Sequence, residues 1–105
     1  MPEATATSAF VRAVRTFAVQ TPDWAPALRY YTQPDERNDI TLIAFRAYGD
    51  RSLFMVIFAA AGLDTLEQAI PEQMLTLPTF TQLQAIKRQT GYLSDAEARA
   101  YESLD

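Results

Sequence analysis

Residues 40–62 read Ile40-Thr41-Leu42-Ile43-Ala44-Phe45-Arg46-Ala47-Tyr48-Gly49-Asp50-Arg51-Ser52-Leu53-Phe54-Met55-Val56-Ile57-Phe58-Ala59-Ala60-Ala61-Gly62, and this stretch decides the fold. Ile40, Ile43, Ala44, Ala47 and Tyr48 recur at i, i+3, i+4, i+7 and i+8, which is one face of a helix. Asn38 or Asp39 stands where an N-cap belongs. Gly49 stands where a left-handed residue stops a helix. Asp50 starts a second helix at once, running from Arg51 to Ala61, and Gly62 ends it. Leu53, Phe54, Val56, Ile57, Phe58 and Ala60 almost encircle this second helix. A helix apolar all round is buried on several sides. The expectation is the chain's own core on one side and a protein partner on another.

Working outward, Ala27 to Thr32 is rich in aromatic and β-branched residues and reads as a strand. Gln33-Pro34-Asp35-Glu36-Arg37 reads as the turn that follows it. On the other flank, 63–70 reads as a loop or short helical turn. Met74 to Pro78 reads as a strand closed by proline. Further out, Phe10, Val11, Val14, Phe17 and Ala18 predict an amphipathic helix over 8–19, capped by Thr7 or Ser8 and stopped at Pro22. Residues 1–7 are small and polar, and fraying is expected there. Trp24, between Pro22 and Pro26, is expected in a rigid extended linker. Thr81 to Thr90 predicts a helix through Leu83, Ile86 and Lys87, ending near Gly91. Ser94-Asp95-Ala96-Glu97 has the form of a capping box and predicts a last polar helix over 95–104.

The core "Ile43-Ala44 … Tyr48-Gly49-Asp50 … Leu53", with Tyr31 before it and Pro71-Glu72-Gln73-Met74-Leu75-Thr76-Leu77-Pro78 after it, resembles the LysM module. The resemblance covers about residues 28–78. It implies an α+β fold with a βααβ core, two helices on one face of a two-stranded antiparallel sheet. Residues 1–27 would then be an N-terminal helical arm and linker, and 79–105 a C-terminal helical extension. The resemblance is nearest to the LysM-like domains of baseplate wedge proteins in contractile phage tails and related injection machines. Tyr30-Tyr31, Arg37-Asn38-Asp39 and Tyr48-Gly49-Asp50-Arg51-Ser52-Leu53 carry it. It implies a virion structural protein of the tail baseplate, assembled in the host cytoplasm among neighbouring tube and wedge subunits. The alternative is a module binding peptidoglycan or N-acetylglucosamine. That reading is weakened at three places: the longer charged turn 34–39, Ala60-Ala61-Gly62 in place of an Ala-Asn pair, and Pro71-Glu72 in place of Pro-Gly.

Composition narrows the chemistry. The chain has 105 residues, one domain's worth, with 9 basic and 13 acidic side chains and a net charge of −4. This balance argues against a broad nucleic-acid surface. With no cysteine and no histidine, disulfides, Cys or His metal sites and His-based catalysis are excluded. Three separated glycines make no phosphate loop. The longest apolar run, Leu53 to Ala61, is about half the ~20 residues a membrane span requires, and no secretion signal is visible.

No cofactor, metal or catalytic set is expected. Asp35, Glu36 and Asp39 cluster in one loop, but they read as a solvated turn with a helix cap rather than an acid–base pair. Arg12, Arg15 and Lys87-Arg88 read as solvated or paired with a partner. Interface candidates are Trp24, Tyr30, Tyr31, Arg37, Asp39, Arg51, Phe54 and Phe58, because aromatic and Arg residues dominate contact energies. For Arg37 the expected role is pairing with Asp39 or reaching across the interface.

Overall fold

A computed structural model describes residues 2–92. The fold is α+β. Helix α1 spans Pro2–Gln20, strand β1 Leu28–Tyr31, helix α2 Ile40–Tyr48, helix α3 Phe54–Ala60, strand β2 Met74–Leu77 and helix α4 Phe80–Thr90. Between them, Pro34–Glu36 and Arg51–Leu53 each form a short 3-10 turn. The order β1-α2-α3-β2 is the expected βααβ core. The polar helix expected over 95–104 lies outside the described residues.

Local chemistry sets these boundaries. Asp39 caps α2 by accepting from the Leu42 N–H at 3.1 Å. At the other end Gly49 sits at φ +78°, a conformation other residues resist, and its N–H closes on Phe45 O at 2.7 Å. Asp50 then caps the next turn through the Ser52 N–H. Two helix starts differ from expectation. Helix α1 begins at Pro2 rather than at residue 8, since proline fits the first turn of a helix, where its missing N–H is not needed. Helix α4 begins one residue early, at Phe80. Thr79 and Gln82 form a reciprocal capping box there, with Gln82 Oε1 accepting from the Thr79 N–H at 2.8 Å.

β1 and β2 pair antiparallel, Leu28 with Leu77 and Tyr31 with Met74. Alternation turns Leu28, Tyr30, Leu75 and Leu77 toward the core and Arg29, Tyr31, Met74 and Thr76 away from it. One hydrophobic cluster joins every layer: Phe10 and Val14 of α1, Ile43 and Tyr48 of α2, Val56 and Ile57 of α3, and Leu83 of α4. Tyr48 also donates its hydroxyl to Pro78 O at 2.7 Å, and burial pushes its phenol well above the usual range. The flanking helices α1 and α4 therefore contribute to the core itself. Helix α3 is covered by α1, α2 and β2 of its own chain. Val56, Ile57 and Ala59 of its apolar ring are buried there, while Phe54, Met55 and Phe58 are half-buried. Lys87, expected to be solvated or paired with a partner, is buried. Its position in α4 repeats the Leu83 side of the helix at i+4.

Candidate protein interface

Helix α1 ends where Pro22 approaches, and the Thr21 N–H makes a last bond to Phe17 O at 3.0 Å. The chain then reverses in a tight turn, the Ala25 N–H donating to Pro22 O at 3.0 Å. Trp24 thus sits on a turn, not in the extended linker expected. Distant side chains select the turn. Arg29 of β1 donates from Nη2 to Pro22 O at 2.9 Å and to Ala25 O at 3.1 Å. Gln82 of α4 donates from Nε2 to Pro26 O at 3.0 Å. The turn is fixed at both ends, and Trp24 projects from it 86% exposed. A rigid turn holding out a large apolar ring with an N–H donor has the form of an interface anchor.

Arg29 lies on the outward face of β1, and Tyr31 follows it on that face about 7 Å along the strand. Tyr31 is paired across the sheet with Met74, and the two are 49% and 56% exposed. The outer sheet face therefore runs from the Trp24 turn, through Arg29, to a Tyr–Met pair. Methionine adapts its shape to whatever packs on it. Sequence reasoning missed Met74. Its signal was the alternation of Met74-Leu75-Thr76-Leu77, which sets Met74 opposite to the two leucines.

The 33–39 turn is built differently. Glu36 was expected in solvent and is fully buried. Its carboxylate accepts from the Tyr30 hydroxyl, from the Gln33 N–H at 2.6 Å and from Arg46 Nη1 at 2.9 Å. Arg46 also holds exposed Asp35 through two bonds of 2.9 Å. This pairing lowers the Asp35 carboxyl below its ordinary range and raises the guanidinium. Burial, then Glu36, raises the Tyr30 phenol. The turn is tied to the loop before β2 as well. Thr32 Oγ1 donates to Pro71 O at 2.9 Å and accepts from the Gln73 N–H at 2.8 Å, and the Ile70 N–H reaches Arg37 O at 2.8 Å. A carboxylate with no exposed surface and three donors from its own chain is closed to a substrate from solvent. The cluster fixes the turn.

The other expected residues scatter. Arg37 is exposed and Asp39 turns instead to Thr41, whose hydroxyl donates at 2.6 Å and lowers the Asp39 carboxyl. Arg51 lies over the Phe45 ring at 5.3 Å and donates to Thr41 Oγ1 at 3.1 Å. Phe54 is half-buried against the chain's own core. Phe58 is half-buried too, with the Arg15 guanidinium 5.9 Å from its ring centre. Of the eight, Tyr31 lies on the outer sheet face, the Trp24 turn is joined to that face through Arg29, and Tyr30 lies on the inner face. Compared with protein-family models, curated proteins and solved structures, the chain gives no match. No helix of the described residues is long and apolar enough to cross a membrane.

Proposed function

We propose that this chain is a non-enzymatic structural subunit that docks onto neighbouring proteins through the Trp24 turn and the Tyr31–Met74 face. Its LysM-like βααβ core would serve as a rigid wedge in the baseplate of a contractile tail or a related injection machine. One observation carries the docking reading: Trp24 stands 86% exposed on a turn held by Arg29 and Gln82. Holding the backbone beneath the ring still in the free protein reduces the entropy cost of association. The sequence resemblance carries the assignment to a baseplate.

The test has two arms. Purified tail particles are analysed by mass spectrometry for this chain, and the isolated chain is sedimented with peptidoglycan sacculi at two salt concentrations. The expected result is stoichiometric presence in particles, incorporation lost with Trp24→Ala, and no saturable pelleting with sacculi. Absence from particles together with saturable, salt-tolerant pelleting would replace this reading with the glycan-binding one.

A further inference from the structure

A second surface lies away from the sheet face. Helices α1 and α3 leave an open groove of 480 Å³ between them. Two ridges at i, i+4 spacing form its α1 wall: Thr7, Val11 and Arg15, and beside them Ser8, Arg12 and Thr16. Met55 and Phe58 of α3 form the other wall. Ridges at this spacing are the surface into which the side chains of another helix pack. The stretch from Thr7 to Thr16 is ten residues by numbering, about 15 Å of helix at 1.5 Å per residue, or nearly three turns.

The groove carries one sign of charge. From residue 7 onward α1 holds Arg12 and Arg15 and no carboxylate, and α3 holds no charge at all. Arg15 is committed to the chain itself. Its Nε donates to Ala59 O at 3.2 Å and its Nη2 to Leu63 O at 2.9 Å, at the C-terminal end of α3. Arg12 is exposed and has no carboxylate partner among the described residues. The chain as a whole is acidic, with net charge −4, so this basic strip stands against the general surface. Hydroxyls of Ser8 and Thr16 add donors along the same wall.

We propose that this groove receives an acidic, amphipathic helix of about three turns from a partner protein. Its small apolar stripe would face Val11, Met55 and Phe58. Its carboxylates would face Arg12 and the hydroxyls. Charge complementarity selects the occupant. Among the described residues, the helices of a second copy do not supply it: α2, α3, α4 and α1 from residue 7 onward contain no Asp or Glu. The surface is independent of the Trp24 turn, so either can fail alone.

The probe is a synthetic helical peptide of about 14 residues, four turns at 3.6 per turn, with a Leu/Ala stripe flanked by Glu. Its control carries Lys at the Glu positions. The full chain, methyl-labelled at Val and Met, is titrated with each and followed by NMR. The expected result is saturable shifts at the Val11 and Met55 methyls, at least ~10-fold tighter for the Glu peptide, a difference of the size close charge pairs can supply. Arg12→Glu should reverse the preference while leaving the melting temperature unchanged. Equal affinity for the two peptides, or shifts at Met74 instead of Met55, would overturn the proposal. Groove shifts that grow with chain concentration in the absence of peptide would assign the surface to self-association. Binding that emerges only after Glu97→Lys and Glu102→Lys would assign the groove to the chain's own residues 93–105.

Discussion

Strand β1 has a proline-led turn at each end, and the two turns do opposite things. Pro22 to Ala25 presents its largest side chain to solvent. Gln33 to Arg37 buries a carboxylate, that of Glu36. Both are held by an arginine from elsewhere, Arg29 for the first and Arg46 for the second. Arg29 binds backbone carbonyls, so the first turn is fixed without using any of its own side chains. Arg46 binds the side chains of Asp35 and Glu36, so the second turn spends its charges on being fixed. A turn pinned by its backbone leaves its side chains free for a partner. A turn pinned by its side chains belongs to the fold.

The largest break in this contrast should come from Glu36. Glu36→Ala leaves the Tyr30 hydroxyl, the Gln33 N–H and one Arg46 donor without their acceptor, and opens a void among them. The expected cost is about 3 kcal/mol, the scale for breaking a buried, charge-assisted network. Glu36→Gln keeps the volume and one acceptor oxygen and should cost less. Urea unfolding with an unchanged slope reads both. A cost below ~0.5 kcal/mol for Glu36→Ala, the range of ordinary surface changes, would mean the second turn is not held this way.

A smaller break should come from Thr32, which is buried beside the same turn. Thr32→Val keeps the shape and removes the hydroxyl that serves Pro71 O and the Gln73 N–H. One buried acceptor and one donor lose their partner, for an expected ~1–2 kcal/mol. The loss should act locally. Hydrogen exchange at Ile70 and Gln73 should speed up more than exchange in α2. Uniform acceleration would show that the loops are not joined at this point.

Much of the fold was legible because its signals are local. Gly49 and Asp50 stop one helix and start the next within two residues. The apolar spacing of Ile40 to Tyr48 marks the face that is buried. The site was less legible because its determinants lie far apart along the chain. Glu36 looks like any turn carboxylate until Arg46 arrives from α2 and Tyr30 from β1. The Trp24 turn looks extended by its prolines until Arg29 and Gln82 close it. Helix α1 looked like an arm, since a 3.6-residue stripe says that a face is buried and not which surface buries it. Its Phe10 and Val14 prove to be core.

Acid should separate the two turns further. Hydrogen bonds lower the carboxyls of Asp35, Asp39 and Asp50 in the folded state, from Arg46, Thr41 and Ser52 respectively. The unfolded chain therefore binds protons first as pH falls. Their stabilisation is present above the ordinary aspartate value of about 4 and is lost as pH drops through the lower folded values. Melting temperature should be flat above about pH 5 and decline below about 4. Asp35→Asn should flatten part of that decline, since its Arg46 pairing no longer titrates. An unchanged acid limb in Asp35→Asn would detach Asp35 from the stability of the second turn. Each exposed pair contributes little by itself. The slope is the readout.

The smallest effect on stability is expected at the most conspicuous residue. Trp24 is held out by a turn whose hydrogen bonds all run between Arg29, Gln82 and backbone atoms. Trp24→Ala removes none of them, and with the ring in water it forfeits almost no burial. Unfolding free energy should change by less than ~0.5 kcal/mol, while docking should fall by the ~2 kcal/mol or more typical of an aromatic anchor. Arg29→Ala gives the complementary case, because the indole stays and its support goes. Docking should then weaken through a slower association rate, since the ring must be ordered during encounter. If Trp24→Ala instead destabilises the fold as much as Glu36→Ala, the ring packs on the chain itself, and the two turns are not the opposites that their exposure makes them.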